Sequence, residues 1–414
     1  MKIWLFNPYG QTPGEGWRDS RFTMLGKALA RRGHEVVWWT ASFSHTFKVF
    51  RANAYSVLSV EDGFKIHLVP TSAYAKNISF GRIRFEISYA MGCFNLARSS
   101  ASRPDCIVAT EPSQIVGFLG VRLGRRFRVP VVLDVFDMWP ELFTLVLPRP
   151  LKPLSTLIFF PFHILKRYNL RRASGIVSLC KTYLREVMTL VRSSSEIPSL
   201  AVFNGIDLTE FRSEMPSAGR AVECAAQMGK RAGETWAVYT GTLGNNYDVR
   251  TLVEASAVLS DRRRNISILV LGEGPLRGTI TSYIATHPEA KIRYLGPSMK
   301  PSALIGLYKA CDIALCAYSR DSNVAMPNKA YDYLAAGMPI VSSLRGELEE
   351  FLKENDIGIQ YEAGNPVSLA DALEKLTTDP SARVRMARNA QDKAYLFDSK
   401  VLYAQYADFI EGVR

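Results

Sequence analysis

The stretch Trp236-Ala-Val-Tyr-Thr240-Gly241-Thr-Leu-Gly244-Asn245-Asn-Tyr-Asp248 carries the first clear statement of the fold. Its first five residues read as a short buried strand, and the polar turn that follows hands the chain to a helix beginning near Val249. In such a strand–loop–helix the loop amides and the positive end of the helix dipole can hold an anion, with glycine where backbone must approach phosphate closely. The spacing is neither a P-loop, which needs Gly-Lys-Ser/Thr, nor the dinucleotide pattern G-x-G-x-x-G. One unit later Leu271-Gly272-Glu273-Gly274-Pro275-Leu276 repeats the arrangement. Two such loops at the carboxyl ends of parallel strands can converge on one crevice and favour a nucleoside diphosphate, while each also serves as a plain tight turn.

Working outward, apolar runs at 291–295, 313–316 and 339–342 each precede a helix-like segment. The N-terminal half repeats the rhythm with runs at 2–6, 34–40, 65–69, 106–110, 129–135 and 175–179, and a helix over about 18–32. Branched apolar residues fill these runs, as parallel strands covered on both faces require. The expectation is two Rossmann-like α/β domains, 1–205 and 206–394, with a linker over 210–233 and an amphipathic C-terminal helix (395–414) packing back onto the first domain.

The densest chemistry lies in Ser319-Arg320-Asp321-Ser-Asn323-Val324-Ala-Met-Pro327-Asn328-Lys329-Ala-Tyr-Asp332-Tyr-Leu-Ala-Ala-Gly337. Pro327 suits a helix start, which puts Asn328, Lys329 and Asp332 in the first turns. Arg320 and Lys329 can neutralise phosphate oxygens, and Asp332 can accept hydrogen bonds from a ribose diol.

Charge divides the chain. Residues 1–200 hold 27 Lys and Arg against 13 Asp and Glu, and residues 201–414 hold 24 against 26. An anionic partner for the first half follows: a phosphorylated substrate or an anionic membrane, since no nucleic-acid motif or aromatic–basic interleaving is present. The six cysteines lack C-x-x-C spacing and read as buried thiols of a reducing compartment, and the five dispersed histidines offer no zinc spacing. The N-terminal apolar run is too short for a signal peptide, and no run of about 18 apolar residues predicts a spanning helix. Residues 151–165 (LKPLSTLIFFPFHIL), flanked by Arg149, Lys152, Lys166, Arg167, Arg171 and Arg172, fit either a bilayer interface or a buried helix.

Taken together, the Gly-rich loop, Gly272-Glu-Gly-Pro, Tyr308-Lys-Ala-Cys-Asp-Ile-Ala-Leu and Pro327-Asn-Lys-Ala-Tyr-Asp-Tyr-Leu-Ala-Ala-Gly-Met-Pro resemble the nucleotide-sugar-binding domain of retaining GT-B glycosyltransferases of family 4. Asn204-Gly-Ile-Asp207 resembles that family's interdomain segment, and Asp134-Val-Phe-Asp137-Met-Trp139-Pro140-Glu141 resembles an Asp-x-Trp-Pro-Glu segment of its bacterial surface-polysaccharide subgroup. The resemblance implies two domains facing a cleft. It implies a donor site of Gly241, Gly244, Asn245, Gly272, Gly274, Asn323, Asn328 and Asp332, with Arg320 and Lys329 as diphosphate counter-charges. The family's Glu-x7-Glu pair falls on Val324 and Asp332, so backbone of Asn323–Met326 or the Asp321 carboxylate replaces the first acid. Thr242 and Tyr247 or Asp248 stand where the family carries Arg and Lys.

On the other side of the reaction the resemblance implies Asp137 near the reacting sugar, with Asp134 as its rival, and Gly14, Arg18 and Glu111 toward the acceptor. The function it implies is retaining transfer from a UDP- or GDP-sugar to a polyprenyl-diphosphate-linked glycan. It requires no cofactor and no obligatory metal, and would occur in the cytoplasm, peripherally on the inner face of the cell membrane. A nucleotide-sugar 2-epimerase-like enzyme and a non-catalytic nucleotide-sugar-binding partner are the alternatives that keep the fold.

Overall fold

The computed structural model describes residues 1–16, 18–77, 79–111, 113–140, 147, 149–191 and 197–413. The chain forms two compact units, Met1–Asn204 with Lys400–Arg414, and Gly205–Ser399.

The first unit is built on eight strands: β1 Lys2–Phe6, β2 Glu35–Ala41, β3 Ser56–Glu61, β4 Phe64–Val69, β5 Cys106–Glu111, β6 Val131–Val135, β7 Gly175–Ser178 and β8 Ser199–Ala201. Their order is β3-β4-β2-β1-β5-β6-β7-β8, parallel throughout except for the β3–β4 hairpin at one edge. Both faces are covered, so β1 is apolar from Ile3 to Phe6. Trp4 and Phe6 enter one core layer with the helices Phe80–Ser99 and Gln114–Phe127, while Ile3 and Leu5 enter the other with the helix Arg21–Arg31 and the C-terminal helix.

The C-terminal helix, Ser399–Gly412, packs its apolar face on this unit over a buried ion pair. Arg21 reaches Asp134 with Nε at 2.7 Å and Nη2 at 2.9 Å, donates from Nη1 to the Val202 carbonyl at 2.7 Å, and lies 5.3 Å from the Tyr406 ring centre. Asp134 is therefore a structural carboxylate rather than a group open to substrate. Exposed pairs of Arg32 with Asp408 and Glu411 close the same helix at its end.

The second unit carries six strands: β9 Thr235–Thr240, β10 Ile266–Leu271, β11 Ile292–Tyr294, β12 Ile313–Cys316, β13 Ile340–Ser342 and β14 Gly358–Gln360. All are parallel, in the order β11-β10-β9-β12-β13-β14. Strand order reverses between β9 and β12, the place where open α/β sheets bind ligands outside the carboxyl ends of their strands.

The expected linker over 210–233 is not one. Helices Leu208–Ser213 and Ala218–Gln227 occupy most of it, and the second buries Ala221 and Ala225 as it packs on the helix Pro301–Ala310. Small residues at helical spacing carry too little hydrophobic contrast to stand out in the sequence. Residues 151–165 are neither one helix nor buried: a 3-10 turn Arg149–Leu154 and helices Ser155–Ile158 and Phe160–Leu170 leave Leu154, Leu157, Phe160 and Ile164 50 to 73% exposed. Lys166, counted among the flanking charges, is turned inward and buried.

Candidate functional site

The two glycine loops of the second unit lie against one another. Gly241 N–H donates to Leu271 O and Leu243 N–H to Glu273 O, both at 2.9 Å, and Leu276 N–H returns to Leu243 O at 2.9 Å. A Cβ on Gly272 would sit 1.8 Å from Gly241 O, and one on Gly274 2.4 Å from Leu243 O. These two glycines are needed for backbone-on-backbone packing, a different reason from close approach to phosphate. Likewise the Gly241 amide is spent on its neighbour rather than left for an anion.

The loop after β9 is also fixed to the loop after β12. Asp248 N–H donates to Ala317 O at 3.3 Å and Ser319 N–H to Asn246 O at 3.1 Å. Asp248 is a buried brace that accepts from Thr251 Oγ1 (2.6 Å), the Tyr361 hydroxyl (3.1 Å) and Gly364 N–H (2.9 Å). The helix Asn328–Ala335 begins directly after Pro327, as expected, and its Tyr333 hydroxyl receives the Thr240 N–H at 3.1 Å. The switch point is thus a preorganised surface rather than a pair of loose loops.

Lys329 lies beneath it. Its Nζ is sealed from solvent and has no hydrogen-bond partner among the described residues. Three tyrosine rings surround the ammonium, Tyr239 at 3.9 Å, Tyr247 at 5.1 Å and Tyr318 at 5.3 Å from ring centre to Nζ. Cation–π attraction offsets part of the desolvation cost. A Cβ on Gly241 would stand 2.9 Å from the Nζ, so the glycine leaves the ammonium immediately under an exposed loop. Burial lowers the Lys329 pKa to about 8. A buried cation with no anion beside it is a costly feature that a bound phosphate would neutralise.

The other residues expected on the donor side are disposed in different ways. Gly241, Asn245, Asn323 and Asn328 are exposed, and Gly244 closes the turn by accepting from Tyr247 N–H at 3.0 Å. Asp332 is only 7% exposed, on the inner side of its helix. Arg320 is not placed as the sequence suggested: its side chain is 71% exposed and pairs with Glu362 at 3.0 Å. Among the described residues no three His, Cys, Asp or Glu side chains form a group fit for a metal ion.

In the first unit, Asp137 follows β6 half-buried, with Oδ1 accepting from Met138 N–H at 3.1 Å. Burial raises its pKa, opposed by hydrogen bonds and by the charge of Arg82. Glu111 turns away into the protein, where it is buried and accepts from Asn169 Nδ2 at 3.2 Å, so its expected place toward an acceptor is corrected to a structural one. Gly14 sits exposed in a turn closed by Glu15 N–H to Thr12 O at 3.1 Å and held by Arg51 on Glu15 at 2.7 Å, and Arg18 follows half-buried. Trp17 in the same loop and Glu141 of the Asp-x-Trp-Pro-Glu segment lie outside the described residues.

Sequence reasoning missed the tyrosines around Lys329 and a second cluster of Tyr9, Arg82, Glu86 and Ser113. Glu86 is buried, accepting from the Tyr9 hydroxyl and from Ser113 Oγ (2.6 Å), with Arg82 one helical turn before it. The i, i+4 spacing of Arg82 and Glu86 is a signal, but one shared by many surface helices.

Residues 224–393 match the family of glycosyl transferases group 1, and residues 19–197 match the glycosyl transferase 4-like domain. The chain belongs to the group 1, GT4-like glycosyltransferases. A D-inositol 3-phosphate glycosyltransferase of Corynebacterium glutamicum is 30% identical to this glycosyltransferase over 164 residues, 38% of each chain, so the match spans little more than a third of that relative. Sucrose-phosphate synthase from Thermosynechococcus elongatus has a similar structure, with a TM-score of 0.74 at 16% identity over 99% of this chain and 98% of that one. The Anabaena protein Alr3699/HepE, solved with UDP-glucose, gives a TM-score of 0.62 at 15% identity over 99% and 98%. These likenesses show the GT-B fold of this glycosyltransferase, two α/β units with mostly parallel sheets.

Proposed function

We propose that this glycosyltransferase moves a sugar, with retention of anomeric configuration, from a UDP- or GDP-sugar onto a polyprenyl-diphosphate-linked glycan, in the assembly of a bacterial surface polysaccharide. The second unit binds the donor and the first the acceptor. The observation that carries the reading is the tyrosine-ringed Lys329 ammonium, without a hydrogen-bond partner among the described residues, under Gly241 at the switch point of a 3-2-1-4-5-6 sheet. Support for a nucleotide-sugar donor comes from the structural relative solved with UDP-glucose.

In this reaction the bond from the anomeric carbon to the diphosphate oxygen breaks and the bond to the acceptor oxygen forms on the same face. The departing phosphate oxygen takes the acceptor proton. Lys329 stabilises the charge that grows on the diphosphate, in a setting whose low dielectric strengthens it. In this reading Asn323 and Asn328 donate to phosphate or sugar hydroxyls, and Asp332 accepts from the ribose. Asp137 of the first unit is the carboxylate this reading assigns to the chemical step. Counter-charge from protein groups replaces an obligatory metal. The test is release of nucleoside diphosphate from a panel of UDP- and GDP-sugars, with and without lipid-linked acceptor and with and without EDTA. Acceptor-dependent, EDTA-resistant release is the expected result, and turnover without acceptor would favour the epimerase-like alternative.

Proton linkage supplies a sharper check. The free enzyme sheds the Lys329 proton around pH 8, while the diphosphate complex keeps it, so binding is flat below pH 8. Above pH 8, UDP affinity is expected to weaken by about tenfold per pH unit. Tyr239 and Tyr318 have pKa values raised well above 10 and Cys316 is pushed up to about 12, so these neighbours stay neutral across that range. Titration calorimetry of UDP from pH 7 to 9.5, beside Lys329→Met, reads the slope, and a wild-type profile as flat as the variant's would contradict it.

Peripheral attachment to an anionic membrane on its cytoplasmic side rests on the stretch 142–185. It contains eight Lys and Arg, of which Lys166 is buried, and no Asp or Glu, and it exposes Leu154, Leu157, Phe160 and Ile164. Among the described residues no helix is long and apolar enough to cross a membrane, and the contact proposed is interfacial. Each Lys or Arg near such a surface adds about 1 kcal/mol, and the apolar side chains add their burial. Leu157→Asp with Phe160→Asp should reduce partitioning onto phosphatidylglycerol-containing vesicles by roughly tenfold or more in a sedimentation assay. Equal partitioning of the variant would exclude this segment.

A further inference from the structure

We infer that the first unit holds an anion site of its own, formed by Arg82 and Lys48 at the carboxyl ends of β1, β2 and β5, and that it takes the diphosphate of the acceptor. The acceptor assignment rests on the transferase reading; the anion site itself does not.

The place is the switch point of the first sheet, where order reverses between β1 and β5. Tyr9 follows β1, Ser113 follows β5, and both hydroxyls converge on the buried Glu86. That carboxylate is thereby occupied, and it anchors Arg82 at 3.4 Å rather than saturating it. The guanidinium is held by aromatic faces, 3.9 Å from the Trp139 ring centre and 4.9 Å from that of Tyr9. Its Nε is buried and faces Glu86 Oε1 at 3.4 Å without a hydrogen bond, while Nη1 donates to Asn77 O at 3.2 Å.

Lys48 arrives from the loop after β2. Its Nζ lies 4.1 Å from the Tyr74 ring centre and 2.6 Å from Asn77 Oδ1, so Asn77 links the two cations through its backbone and side-chain oxygens. His45, three residues earlier, meets the Tyr74 hydroxyl through Nδ1. Positive charge is in excess at this end of the cluster. After burial, the charges acting on His45 are those of Arg82 and Lys48, and its pKa falls to about 4. The Lys48 pKa is lowered in the same way by burial and by Arg82. Asp137 and Glu86 interact with Arg82, whose charge lowers the pKa of each against the rise that burial causes, whereas the charges acting on His45 and Lys48 are cationic.

An arginine fork beside a lysine point charge matches the oxygens of a diphosphate. The same chemistry would accept free pyrophosphate, so the test separates the two sources. Binding of geranyl diphosphate and of inorganic pyrophosphate is measured on the full chain at saturating UDP, for wild type, Arg82→Gln and Lys48→Asn. Asparagine is chosen because Lys48 has φ +58°, which Asn tolerates. Both ligands are expected to bind the wild type and to lose at least about tenfold in affinity in each variant, with UDP affinity unchanged. Tighter geranyl diphosphate identifies the lipid-linked diphosphate, and equal affinities identify the free anion. Wild-type affinity in both variants, or no binding of either ligand to the wild type, overturns the proposal. Should Arg82→Gln also lose UDP binding through misfolding, Lys48→Asn decides. Failure of the transferase reading looks different: diphosphate binds and responds to both substitutions, yet no sugar moves.

Discussion

Lys329→Met is expected to lower the affinity for UDP, and kcat/KM with the donor sugar, by about 100-fold or more, while making the ligand-free protein more stable. The two effects have one cause. The ammonium is buried among Tyr239, Tyr247 and Tyr318 with no hydrogen-bond partner among the described residues, so the free protein holds a charge it would be better without. Methionine fills a similar volume with no charge, which removes a burial penalty of about 1–3 kcal/mol. The sign agrees with the lowered pKa. Between about pH 8 and the ordinary lysine value the unfolded chain binds more protons than the folded one, so wild-type stability rises across that interval and the variant's advantage shrinks. With a diphosphate present the order reverses, since only the wild type supplies the counter-charge. Thermal unfolding with and without UDP shows both halves in one experiment. A variant that is less stable and still binds UDP would make Lys329 a packing residue.

Arg21→Met is expected to cost about 3–5 kcal/mol and to release the C-terminal helix. The substitution strands a fully buried Asp134, removes the donor to the Val202 carbonyl, and takes the cation from the Tyr406 ring. Arg21→Met with Asp134→Leu should recover most of that loss, because the penalty comes from the unpaired carboxylate more than from the lost pair. Two compact units make a single unfolding midpoint ambiguous, so hydrogen exchange over 400–413 and over β6 is the better readout. Unchanged protection in the single variant would show that apolar contacts of Tyr403, Tyr406 and Ile410 hold the helix by themselves.

Both sheets were legible because parallel strands covered on two faces leave apolar runs, as Ile3–Phe6 does. The edge strand Ser56–Glu61 escaped for the opposite reason: it is largely exposed and mixed in composition. The helix Ala218–Gln227 was hidden by its small residues. In the candidate site, glycines and charges announced themselves but their tasks did not. Gly272 and Gly274 marked the right loops, yet what they allow is one loop resting on the other. Arg320 and Lys329 looked equivalent as cations, whereas only the fold puts one on the rim against Glu362 and seals the other among three rings. Those rings come from positions 239, 247 and 318, and Arg82, Tyr9 and Ser113 meet across more than a hundred residues of chain. No local pattern encodes either meeting.

The most direct measurement is to incubate the purified protein with a lipid-linked acceptor and its preferred UDP- or GDP-sugar, then determine the mass and anomeric configuration of the product. The acceptor should gain one sugar residue with the donor's anomeric configuration, and Lys329→Met should slow that gain. Free sugar in place of lipid-linked product, or an inverted linkage, would contradict retaining transfer to a lipid-linked acceptor.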